Sequence, residues 1–293
     1  MTSSLVIILI ATGLLHRWPQ LASYRRDTLF RTWLGQISRV DGSLHAVLAL
    51  GLPVLLCLLL IAGIHIFPGH HLGQALFALA VLMMSLGPRE LDPDLAALQL
   101  ARTPVTQLQA LTDLHDETMA QLAWEQASVA EAVAYAALHR RFGVVFWFVL
   151  LGPPGALLYR LSQTLGRDAS LDLGPGQRKA AQYTANALDW LPAHLLVFTL
   201  AIVDHWDAVM NAWRDWRRSA GRAGWYGAAP GFLAAAVRCS SMTPGEGPGS
   251  AADAASDPAL TAARLQQVFQ RAWISWLAVL ALIALGGWIR PLP

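Results

Sequence analysis

Charge is what this sequence lacks most. Only 14% of its 293 residues are Asp, Glu, Lys or Arg. A soluble domain carries about 25%, so a water-soluble globular enzyme is excluded. Lysine is nearly absent: 20 arginines stand beside one lysine, Lys179, and 19 acids leave a net charge of +2. No basic stripe results, so nucleic acid is excluded as a partner. The lone lysine lies in Gly174-Pro-Gly-Gln-Arg-Lys179. That run fails the spacing by which a P-loop cradles phosphates between backbone amides and a lysine. Two cysteines, Cys57 and Cys239, build neither a disulfide framework nor a zinc site. His70-His71 reads as a solvated turn and His115 as a hydrogen-bonded group on a half-buried helix. No metal and no cofactor is expected.

What the chain does hold is apolar length: 55% of it is hydrophobic, at a mean hydropathy of +0.42. A bilayer core needs about 20 apolar residues of helix. Residues 44–67 meet that requirement with no ionised side chain. After a Pro-Gly-His-His turn, 72–87 returns as the second arm of a hairpin. Residues 142–161, 187–203 and 272–289 are further expected spans, and 4–15 is a short first one. The expectation is therefore an all-α integral membrane protein, one membrane domain over 1–293, with about five or six transmembrane helices.

Arginines set the orientation, because cytoplasmic loops collect positive charge. With the N-terminus outside, sixteen basic residues fall inside and four outside, the four being Arg167, Arg178, Lys179 and Arg290. Two long inside segments follow. Residues 92–141 read as helix, with Asp92 and Thr103 as caps before Pro93 and Pro104, and a restart at the Ser128–Glu131 capping-box spacing. Residues 204–271 open as helix and pass through a Gly, Ser, Ala and Pro-rich stretch, 240–258, with no periodic pattern.

Two segments carry the chemistry. Gly152-Pro153-Pro154-Gly155 falls inside a predicted span, where two missing N–H groups force the helix to kink or break. Broken helices at membrane depth often line binding sites. The second segment, Ala187-Leu-Asp-Trp-Leu-Pro-Ala-His194, puts an acid and a histidine into a short span. Ionisable groups there usually face a bundle interior. Arg160 closes one predicted span at the level where Asp189 opens the next, so the two are expected to form an ion pair, with His194 below it.

The stretches RFGVVFWFVLLGPPGALLYRLSQTL and ALDWLPAHLL resemble the core signatures of the AmpE family. That family is similar in turn to the CobD/CbiB-type cobinamide-phosphate synthases of cobalamin assembly. Leu86-Gly-Pro-Arg89, the acidic helix after it and residues 225–242 fit the same layout. The AmpE resemblance implies a non-enzymatic regulatory or sensory protein of the bacterial inner membrane, linked to β-lactamase induction and peptidoglycan recycling. The synthase resemblance implies an enzyme joining an activated carboxyl to an amine. From the synthase pattern this chain departs after Leu165, where Gly166-Arg167-Asp168 stand in place of an aspartate, a serine and a methionine. In the stretch before the broken span it retains Glu131 and lacks the amide. His194 replaces a permanently charged basic residue.

The regulatory reading is the expected function and the synthase its alternative, with a lipid-binding or transport protein as a third. Expected partners are membrane lipids, with a cell-wall-recycling amidase, a muropeptide-related ligand and self-association as further candidates. The candidate ligand cavity gathers Arg89, Glu90, Asp92, Glu131, Arg160, Asp189 and His194.

Overall fold

The structure, a computed structural model, describes residues 2–17, 28–37, 40, 42–86, 91–114, 123–227, 230–241 and 257–286. Every regular element among them is a helix. In chain order these are α1 (Thr2–Arg17), α2 (Thr28–Gln36), α3 (Gly42–His65), α4 (His70–Ser85), α5 (Leu91–Leu100) and α6 (Pro104–Leu114). Then come α7 (Gln126–Ala137), a π-turn (Leu138–Phe142), α8 (Gly143–Leu151) and α9 (Pro153–Arg167). The last are α10 (Pro175–Val203), α11 (Trp206–Gly227), α12 (Gly231–Ser241) and α13 (Pro258–Leu285). Among the described residues four stretches are long and apolar enough to cross a membrane: Leu44–His65, Gln126–Leu151, Pro175–Val203 and Pro258–Leu285. Ser4–Leu15, His70–Ser85 and Gly231–Ser240 are shorter apolar helices. Six leucines of α3 between Leu52 and Leu60 stay 45–60% exposed, an apolar surface of the kind that faces lipid. The chain is an all-helical membrane protein.

Two compact units emerge. The first holds Met1–Arg89, His139–Leu188 and Leu277–Pro293; the second holds Glu90–Leu138 and Asp189–Trp276.

In the first unit α9 packs against α3, α4 and α8. Its relation to α8 begins at Gly152, whose φ of 72° and ψ of −157° are open to glycine almost alone. The Gly152 amide closes α8 on the Phe148 carbonyl at 2.8 Å, and Pro153 and Pro154 start α9, where a missing N–H costs nothing. The break is a reversal. Gly143 lies against the Tyr159 ring and Gly155 against the Trp147 carbonyl, so closely that a Cβ at either glycine would collide. In a continuous helix, Gly143 and Tyr159 would stand about 24 Å apart. α8 and α9 therefore lie side by side in opposite senses, with small residues at the contact as in other membrane helix pairs. The break expected at Gly152–Gly155 is present, and its sense is the correction: residues 142–161 do not cross in one direction, because two prolines flanked by glycines turn the chain back.

That reversal fixes which segments share an end of this unit. Phe30, Leu34 and Ile37 of α2 pack with Ala46, Ala49 and Leu50 of α3, Leu161 and Leu165 of α9, and Ala181 of α10. Arg31 pairs with Asp168 and donates to Ser170 at 2.8 Å. Gln177 donates from Nε2 to the Val40 carbonyl at 2.5 Å and accepts from the Gly174 amide at 2.9 Å. Arg178 binds the Asp168 and Leu171 carbonyls at 2.8 and 2.7 Å, tying down the α9–α10 turn. Residues 28–37 and 168–178 thus lie at one end, whereas counting arginines over a single 142–161 crossing puts them on opposite sides. α3 then runs 24 residues, about 36 Å of helix, to the 66–69 turn. With Cys57 and Cys239 replaced by alanine, single cysteines at Ser170 and His71 are expected to react with an impermeant maleimide from opposite sides of the membrane. Labelling of both from one side would contradict the reversal.

The second unit packs α11 on α12, α12 on α7, and α5 and α6 on each other and on α7. Thr103 caps α6 as the sequence expects: its hydroxyl takes the Thr106 amide at 3.3 Å, while Thr106 Oγ1 takes the Thr103 amide at 3.0 Å. Leu91 already belongs to α5, so Asp92 sits in its first turn rather than capping it. α7 starts at Gln126, ahead of the Ser128–Glu131 spacing. His115 and most of residues 240–258 lie outside the described residues.

Candidate functional site

The second unit offers two places for chemistry. One is α7, a nearly all-buried helix on which Ala130, Ala132, Val133, Ala134 and Ala136 are 2% exposed or less. Such small side chains let neighbouring helices approach closely. Glu131 interrupts this surface as a half-buried carboxylate. Among the described residues no hydrogen bond or ion pair engages its side chain. A carboxylate held at an apolar wall with no structural partner among the described residues is available to a ligand.

The other place is on α10. Asp189 is fully buried and His194 is 8% exposed. His194 Nδ1 lies 2.7 Å from the Trp190 carbonyl, and because a carbonyl only accepts, Nδ1 carries the proton. In the neutral ring Nε2 then holds the lone pair. Rings enclose it: Trp190 at 4.3 Å, Phe232 at 4.2 Å and Trp213 edge-on at 6.2 Å between centroids. Trp216 stands against Phe232 in turn at 5.4 Å. The sequence does not bring this aromatic box together, since Trp213 and Phe232 come from α11 and α12. The repeated tryptophans of α11, at positions 206, 213 and 216, were the only available signal.

The remaining expected site residues divide as follows. Asp92 is half-buried beside the buried Asp94 in the first turn of α5, in the second unit. Arg160, half-buried on α9, belongs to the first unit. It follows the reversal by eight residues. Arg89 and Glu90 lie outside the described residues. Around Arg160, α9 buries Ser162, Gln163 and Thr164. Gln163 accepts from Arg167 Nε at 2.5 Å, and Arg167 also reaches Asn186 Oδ1 at 3.3 Å. Gly166 meets the Ala181 carbonyl and Ala185 Cβ at 2.9 Å from where its own Cβ would stand. Gly166, Arg167 and Asp168, the residues that depart from the synthase pattern, are thus all engaged in joining α9 to its neighbours.

One further device steadies this region. Pro192 lacks the N–H that would bond the Leu188 carbonyl four residues earlier. Trp147 Nε1 supplies the missing donor at 3.0 Å. Trp147→Phe is expected to cost about 1–2 kcal/mol in wild type and close to nothing in a Pro192→Ala background, where the helical bond returns. Equal thermal losses in both backgrounds would show that Trp147 acts by packing alone.

Among the described residues no three His, Cys, Asp or Glu side chains gather to hold a metal ion. Burial pushes the Cys239 thiol above its usual value, with Asp215 adding to the shift and Arg238 opposing it. A thiol so placed is a poor nucleophile.

Comparison with known proteins gives two relatives. The chain is 34% identical over 122 residues to a protein of Chromobacterium violaceum named "Cobalamin biosynthesis protein CobD", covering 38% of this chain and 36% of the relative. It is 33% identical over 81 residues to a protein of the same name from Stutzerimonas stutzeri, covering 25% of each. The matches thus span about a third or less of these relatives' length. No family model matches, and no solved structure matches. The similarity supports the CobD/CbiB side of the resemblance, and nothing in the comparisons supports the AmpE side.

Proposed function

We propose that this chain is a membrane enzyme of the CobD/CbiB type, joining an activated carboxyl of a corrinoid to an amine. The observation that carries the reading is the similarity to two proteins named for cobalamin biosynthesis. Glu131, an acid the resemblance retains, adds support as a half-buried carboxylate with no structural partner among the described residues. In amide formation the amine nitrogen attacks the carboxyl carbon, the bond to the activating phosphate breaks, and the nitrogen must lose a proton. Glu131 is assigned that proton. Asp92, Asp189 and His194 are assigned to the surrounding substrate site, where the rings about His194 offer an apolar wall.

The membrane is the bacterial inner membrane in this reading. The end of the first unit that carries Arg31, Arg167, Arg178 and Lys179 faces the cytoplasm, following the positive-inside rule. The N-terminus stays outside, since α1 precedes that end.

Complementation tests the proposal. A bacterial strain lacking its own cobinamide-phosphate synthase, supplied with the corrinoid acid precursor, is expected to regain cobalamin-dependent growth when it expresses this chain. Failure to grow, with the protein detected in the membrane, would overturn the enzymatic reading. A change in β-lactamase induction by the same chain would then favour the regulatory one.

A further inference from the structure

A groove lies between the first turns of α3 and the first turns of α10, wholly within the first unit, and none of its lining residues is assigned to catalysis. Its volume is about 590 Å³, within the roughly 300–1,000 Å³ of small-molecule sites. Val47, Leu50 and Gly51 form one wall, and Lys179, Ala180 and Tyr183 the other. From Gly176 to Thr184 the α10 wall descends eight residues, about 12 Å. Gly51 makes the opening: a Cβ there would meet nothing within 4 Å.

The lining is mostly apolar, and the chain's only lysine stands at its rim. Neighbouring cations at this end are engaged, Arg31 by Asp168 and Arg178 by two carbonyls. Lys179 is exposed, and among the described residues no carboxylate pairs with it. Tyr183, 61% exposed, sits one helical turn below it on the same face, in the manner of an aromatic at a membrane interface. A cation at headgroup level above an apolar slot is complementary to one molecule type in a bilayer.

We propose that this groove holds an acyl chain of one anionic phospholipid, with its phosphate on Lys179 and its tail between Val47, Gly51 and Ala180. The lipid fills the groove that α3 and α10 leave between them, and it belongs to the leaflet at the end marked by Arg31 and Arg178. The proposal does not depend on the enzymatic reading.

Native mass spectrometry of the full chain tests it, from micelles with equal amounts of phosphatidylglycerol and phosphatidylcholine bearing identical acyl chains. Wild type is expected to retain one lipid, favouring phosphatidylglycerol about five-fold, the scale of one basic residue near a membrane surface. Lys179→Gln is expected to keep a lipid and lose the preference. Gly51→Leu fills the slot and is expected to cut retention about ten-fold with an unchanged melting temperature. Should that variant fail to fold, Val47→Trp, at a position 63% exposed, blocks the same slot from its rim. Retention of both lipids equally by wild type, undiminished retention in the slot-filled variant, or a second copy of the chain in place of lipid would each overturn the proposal.

Discussion

Gly155→Leu is expected to abolish the folded protein. A Cβ at this position collides with the Trp147 carbonyl and the Leu151 side chain, and a backbone carbonyl cannot rotate away as a side chain can. Overpacking in a core usually costs about 1–3 kcal/mol. Displacing the α8 backbone belongs to the rarer class above about 4 kcal/mol, a large part of the total stability of any domain. Monodisperse protein after detergent extraction is the readout, and a normal yield of Gly155→Leu would mean that α8 and α9 do not lie side by side. Gly143→Ala gives the finer comparison. Its Cβ meets the Tyr159 hydroxyl and ring edge, so Tyr159→Leu is expected to recover most of the loss. A double-mutant cycle on thermal stability then returns a favourable coupling of at least about 1 kcal/mol. Additive losses would place the two residues apart.

This reversal shows how far the sequence could be read. The uninterrupted apolar run from Leu44 made α3 legible, and the same holds for α4 after its Pro-Gly turn. Two prolines between glycines made the break after Leu151 legible, because each proline removes a donor wherever it sits. The sense of the break was not legible. Whether a broken helix kinks or folds back depends on Gly143 finding Tyr159, sixteen residues on, a tertiary match with no local signature. The sense of the break also sets the sides: a single crossing over 142–161 puts Arg167, Arg178 and Lys179 opposite Arg31, which Asp168 in fact holds.

The candidate site was read by a different signal. Ionisable residues in apolar helices are costly enough to be conspicuous, and this singled out Asp189 and His194, both of which are buried. Their surroundings were hidden. Trp213 and Phe232 reach His194 from helices whose packing the sequence does not state. Glu131 looked like half of a capping box, but α7 begins five residues before it.

Glu131→Gln is expected to carry the largest effect on activity. A positioned base contributes about 10²–10⁴-fold to a rate, and amide for carboxylate is nearly isosteric. No described hydrogen bond or ion pair is lost with the charge, so stability should stay within about 0.5 kcal/mol of wild type. The predicted signature is thus a fall of two or more orders of magnitude in kcat with KM and melting temperature little changed. A higher pH should restore part of the rate, because a larger fraction of the amine is already deprotonated. An unfolded Glu131→Gln protein would instead assign the residue to structure.

Turnover by the purified chain tests the central claim most directly. The full protein is reconstituted in lipid nanodiscs and supplied with a corrinoid carboxylic acid, an amino-alcohol phosphate and a nucleoside triphosphate. The account predicts a product whose mass equals the acid plus the amine less one water, formed over many turnovers by wild type and at least a hundred times more slowly by Glu131→Gln. Absence of that product from folded, lipid-embedded wild-type protein, or equal rates from the two chains, would contradict it.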